Sequence, residues 1–81
     1  MTREQILAEL KGILAKVNGV NAEDIVCDED TNLQTGLGLN SIAMLYMVIS
    51  IESQFGIRFE GLKMEEMTTV GVVIDYIQKH K

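Results

Sequence analysis

Gly36-Leu37-Gly38-Leu39-Asn40-Ser41-Ile42 runs without a break into an apolar segment that ends at Phe55. Two glycines, a polar pair and a long helical pattern place one serine at the start of a helix. At a helix start the backbone N–H groups lack acceptors and the macrodipole is positive. An anionic phosphate on Ser41 would be well placed there. From Asn40 or Ser41 onward, Met44, Met47, Val48, Ile51 and Phe55 recur at helical spacing and form one core-facing stripe. A second apolar stripe holds Ile42, Leu45 and Ile49, with Tyr46 beside it. A thin bundle cannot bury both. Either the second stripe packs on the preceding loop, at Leu33 and Leu37, or it is an exposed docking face. Gly56 is the expected C-cap.

Upstream, Thr2-Arg3-Glu4-Gln5 reads as a capping box, and Ile6, Leu7, Leu10, Ile13, Leu14 and Val17 follow with helical spacing. Asn18-Gly19 is a stop signal, so the first helix is expected over about Thr2 to Val17. Gly12 inside it costs ~1 kcal/mol relative to alanine, which packing must cover. Val20 to Asn40 reads as a long connection, with a helical turn or short extended piece near Ala22 to Val26 and with Leu33 and Leu37 as anchors. Downstream, Gly61 to Met67 holds at most a short helix. Thr68 or Thr69 caps a last helix carrying Val70, Val73, Ile74 and Ile77 on one face, closed by Lys79, His80 and Lys81. Its β-branched residues could form a strand, but the threonines and the spacing favour helix. The expected fold is all-α: a four-helix bundle of three main helices and one short one, with a long first loop. Residues 1–81 are expected to form a single domain.

The chain has 81 residues, a net charge of −5, one cysteine and no proline. No Lys or Arg occurs between Lys16 and Arg58, which argues against nucleic acid as a partner. The Met44–Ile51 apolar run is far shorter than the ~20 residues of a membrane span. A lone thiol, Cys27, excludes a disulfide framework and suits a reducing, cytoplasmic setting. Its acidic neighbours should raise its pKa and dull its reactivity.

Several motifs fail on inspection. Asp28, Asp30 and Asn32 match the first ligands of a calcium loop, but Leu33 and Leu39 stand where a glycine and a glutamate are needed, so no metal is expected. The glycines before Ser41 lack the third glycine and the βαβ context of a dinucleotide fingerprint. Catalysis by Ser41 would need a base, and the only histidine is the near-terminal His80. Leu39 and Ala43 stand where a nucleophile elbow needs glycines, so no catalytic residue is expected. Two readings of Ser41 remain on these grounds: an ordinary N-cap, or a serine that another enzyme modifies.

These residues resemble a known family. Leu33 through Leu37-Gly38-Leu39-Asn40-Ser41-Ile42, then Glu52-Ser53-Gln54-Phe55-Gly56-Ile57, are similar to an acyl or peptidyl carrier protein. So are Met67-Thr68-Thr69-Val70 and Ile74-Asp75-Tyr76-Ile77 at the other end. The resemblance implies a four-helix bundle and no catalysis of its own. It makes Ser41 the covalent attachment site of 4′-phosphopantetheine, transferred from coenzyme A by a phosphopantetheinyl transferase. The thiol of that arm carries acyl or aminoacyl groups as thioesters between loading and acyl-transfer enzymes. The alternative is a non-enzymatic interaction module of the same fold, with Ser41 only a helix cap. Asn40 stands where the family usually has aspartate, and Ala43, Tyr46, Ser53 and Gln54 stand where fatty-acid-type carriers tend to have acids. A dedicated polyketide, nonribosomal peptide or other specialised pathway is therefore expected, with partners docking on Asn40, Ile42, Leu45, Tyr46 and Ile49. The domain is expected to be a monomer.

Overall fold

The computed structural model describes residues 1–80, so Lys81 of the expected basic C-terminus lies outside it. Three α-helices account for most of the chain: α1 (Arg3–Asn18), α2 (Ser41–Phe55) and α3 (Val70–His80). The expected fourth helix is a single 3-10 turn, Met64–Glu66, and a second such turn, Ala22–Asp24, opens the long first loop. Three residues close one turn at best, so neither piece has the length to bury a face of its own.

Local chemistry sets the helix ends. Thr2 and Gln5 form the capping box: the Thr2 hydroxyl accepts from the Gln5 N–H, and the Gln5 side chain accepts from the Thr2 N–H. Gly19 and Gly56 end α1 and α2 as left-handed caps. Thr69 caps α3, its hydroxyl accepting from the Val72 N–H at 3.3 Å. Thr69 forms an isolated antiparallel bridge with Asn32, immediately before α3 begins.

The core is built from Ile6, Leu10, Ile13 and Leu14 of α1, the α2 stripe, and Val70, Val73, Ile74 and Ile77 of α3. Met44, Met47, Val48, Ile51 and Phe55 are all buried, as their spacing predicts. Among the described residues no polar or charged side chain is buried. The cost of Gly12 is not recovered by packing, because open space lies where a Cβ would sit. Leu7 and Val17 are only partly buried, at the edge of the α1 stripe.

The long loop is fastened at both ends of its second half. Its backbone pairs with the approach to α3 through Leu33 N–H to Thr68 O (2.9 Å), Val70 N–H to Thr31 O (3.0 Å) and Gly71 N–H to Glu29 O (2.8 Å). Leu33 is buried, as expected of an anchor. Leu37 is only partly buried, and the second full anchor is Leu39. On the other side, Arg3 of α1 ion-pairs with Glu29 of the loop and Asp75 of α3. Asp28 and Asn32, read as candidate calcium ligands, spend side-chain oxygens on loop N–H groups instead.

Candidate functional site: a serine at the mouth of a helix

Leu39 is buried and Asn40 is exposed, so the chain leaves the core and starts a helix within two residues. The two glycines upstream make that possible for different reasons. Gly36 comes so close to Asn32 that an added Cβ would sit 2.7 Å from the Asn32 carbonyl oxygen. Gly38 has φ of +70°, the left-handed region that glycine tolerates and other residues avoid. The Leu39 N–H then reaches back to the Leu33 carbonyl at 3.1 Å, closing the loop on its own anchor.

The N-cap of α2 is Asn40. Its side-chain oxygen accepts the Ala43 N–H at 2.8 Å, and its carbonyl accepts the Met44 N–H at 2.9 Å. Ser41 is therefore not the cap, which corrects one of its two sequence readings. It is the first residue inside the helix, exposed, and its hydroxyl makes no hydrogen bond among the described residues. A capping serine would have its oxygen committed to the backbone. The oxygen of this one is uncommitted. Capping needs only a side-chain oxygen that accepts, so asparagine does it as well as the aspartate usual in the resembled family, at the loss of a negative charge.

A phosphodiester fits this position. The N–H groups of Ser41 and Ile42 have no acceptor among the described residues and lie at the positive end of the α2 dipole. No acidic residue sits in the first turn of α2 to repel an anion. His80 stands on another helix and stacks on Tyr76, with ring centroids 4.1 Å apart. Tyr76 stacks in turn on Phe59 and donates its hydroxyl hydrogen to the Arg58 carbonyl. That ladder gives the histidine a packing role at the end of α3.

The second apolar stripe of α2 is not covered by the loop. Ile42, Leu45, Tyr46 and Ile49 are between 50% and 80% exposed. Leu33 and Leu37 point their burial elsewhere, Leu33 into the core and Leu37 against its edge. The stripe continues into two open grooves between α2 and the last turns of α1. They measure about 660 and about 300 Å³, and both are lined by Lys16 and Tyr46. Glu52, the one acid of α2, accepts the Phe59 N–H at 2.9 Å and so ties α2 to the following connection.

Cys27 is half-buried. Burial is the main reason its thiol pKa is raised, with Lys11 pulling it down and Asp28 adding a smaller push upward. The direction matches the sequence expectation, but desolvation outweighs the acidic neighbours.

The model of the phosphopantetheine attachment site matches residues 8–77. The chain is 31% identical to an acyl carrier protein of Thermotoga maritima, across 96% of this chain and 94% of that one. It is 34% identical to an acyl carrier protein of Coprothermobacter proteolyticus, across 99% and 95% of the two chains. The solved acyl carrier protein from Enterococcus faecalis superposes with a TM-score of 0.73 at 27% identity, each chain covered in full. A doublet acyl carrier protein from prodigiosin biosynthesis shares the fold with a TM-score of 0.75 at 21% identity, covering 98% of this chain and 38% of that one.

Proposed function

Since the chain belongs to the acyl carrier protein family, whose members are carriers rather than enzymes and bear a covalent 4′-phosphopantetheine, we propose that Ser41 is the residue that holds the arm. The observation that carries this reading is the division of labour at the start of α2. Asn40 satisfies the cap, which leaves the Ser41 hydroxyl exposed and unbonded. The arm supplies a tether ending in a thiol that holds acyl groups as thioesters. The chain's own residues do the rest. Gly38 and Leu39 fix where the helix starts, and the free N–H groups of Ser41 and Ile42 favour an anion on the serine. The core stripe holds α2 rigid beneath.

The family implies a phosphopantetheinyl transferase and acyl-transfer enzymes as partners. We assign their docking to Asn40 and to the exposed apolar stripe Ile42, Leu45, Tyr46 and Ile49. Because α2 offers a single acid, a partner that docks by a basic patch finds little to hold. This supports a dedicated pathway of the polyketide, nonribosomal peptide or other specialised acyl-transfer kind. In this reading residues 1–81 act as a single carrier domain, a cytoplasmic monomer, in keeping with the lone thiol of Cys27. Two measurements test it. Incubation with coenzyme A and a broad-specificity phosphopantetheinyl transferase should raise the intact mass by one phosphopantetheine, and Ser41→Ala should abolish the gain. Affinity for the cognate loading enzyme should fall only gently as salt is raised, because apolar contacts are not screened. A steep collapse would contradict the apolar stripe.

A further inference from the structure

Lys16 is suited by its charge to the C-terminal end of α1, but it has no acidic partner among the described residues. It lies in the last turn of α1, exposed, and it is the final cation before Arg58. Helix neighbours that could pair with it stand three or four residues away. Those positions are Gly12, Ile13, Gly19 and Val20, none of them acidic. It makes no ion pair among the described residues, whereas Arg3 of the same helix pairs with two acids. Yet Lys16 lines both grooves that flank the exposed stripe of α2, each time beside Tyr46. Every other residue lining those grooves is uncharged. A chain of net charge −5 therefore turns a lone positive charge toward its apolar face.

We propose that Lys16 is a specificity residue of this docking surface, and that the partner protein seated there presents an apolar patch edged by a carboxylate. This rests on the reading of the α2 stripe as a docking face. Charge complementarity selects the occupant. A basic edge would meet Lys16 as a like charge with no acid nearby on α2 to offset it, since Glu52 already accepts from the Phe59 N–H. Lys16 shares one groove with Asn40 and Ile42, the neighbours of Ser41, but Ser41 itself lines neither groove. Ser41 and Tyr46 are five residues apart, which turns them about 140° around the helix at 3.6 residues per turn. The serine and the lysine thus flank the stripe on opposite sides. A partner covering the stripe reaches the arm at one edge and Lys16 at the other.

The test uses the intact, isotope-labelled chain and three synthetic amphipathic helical peptides. They share one apolar face and differ only at a flanking position, which is Glu, Gln or Lys. Amide shifts of Ile42, Tyr46 and Ile49 report occupation of the face. The Glu peptide should bind roughly threefold more tightly than the Gln peptide, the scale of a rim ion pair, and the Lys peptide more weakly than both. Lys16→Glu should invert the order while leaving the thermal midpoint within the range of surface changes. Equal affinities, a preference for the Lys peptide, or an order unchanged in the variant would overturn the proposal and leave the docking face standing. Absence of any shift on α2 with all three peptides would remove the docking face itself. Shifts that follow protein concentration alone would make the occupant a second copy of the chain, against the proposal.

Discussion

At the scale of single residues, the proposed function turns on how two neighbours share one helix start. Asn40 caps and Ser41 stays free. Asn40→Ala should cost about 1 kcal/mol of stability, the usual value of an N-cap side chain, as read from urea unfolding midpoints. A loss near zero would mean that the Asn40–Ala43 hydrogen bond contributes nothing and that the geometry separating the two roles is wrong. Which of the two residues capped α2 was not legible from sequence, because serine and asparagine are both good caps and a one-residue shift reverses their roles. Ser41 itself was legible: two glycines, a polar pair and an apolar helix point to it without reference to any long-range contact.

At the scale of elements, the α2 core stripe and the fastening of the first loop do different work. Ile51 is fully buried, so Ile51→Ala should cost ~2–5 kcal/mol. Gly12→Ala on α1 should go the other way and stabilise by ~0.5–1 kcal/mol, since open space surrounds the site and alanine restricts the unfolded chain. Opposite signs in one denaturation series would support a buried Ile51 and an open face at Gly12; a small loss at Ile51 would mean that α2 is turned the other way. The loop is held by charge as well as by backbone. The Arg3 guanidinium, hydrogen-bonded to Glu29, keeps the glutamate's carboxyl below its ordinary value, with burial opposing. A group with a depressed folded-state pKa stabilises above its unfolded pKa and loses that contribution as pH falls through the folded one. Glu29→Gln should therefore be less stable than the wild type at neutral pH. The gap should close on acidification through and below about pH 4.3, the ordinary glutamate value. A gap that does not change with pH would assign Glu29 a purely steric role.

At the scale of the whole molecule, what could be read in advance divides by contact range. The capping box, the left-handed glycine caps and the α2 stripe depend on neighbours within a turn or two, and all of them are legible as patterns. Leu39 does not stand out in the sequence, because burial of a loop leucine depends on where the loop closes, and Leu37 has the same local credentials. The Arg3–Glu29–Asp75 cluster joins residues 26 and 72 positions apart, which no spacing rule reaches. Whether the second apolar stripe of α2 was covered or bare had the same origin, since only the path of the loop decides it. Both outcomes bear on the proposed function, in which the tied-down loop positions Ser41 and the bare stripe beside it receives a partner.

The proposed function puts the arm on Ser41 and nowhere else. Fragmentation mass spectrometry of the chain after reaction with coenzyme A and a phosphopantetheinyl transferase tests it most directly, because Ser50 and Ser53 lie on the same helix as internal controls. The predicted result is one phosphopantetheine, located on Ser41, with Ser50 and Ser53 unmodified. An adduct on another residue, or no adduct under conditions that load a known carrier, would contradict it.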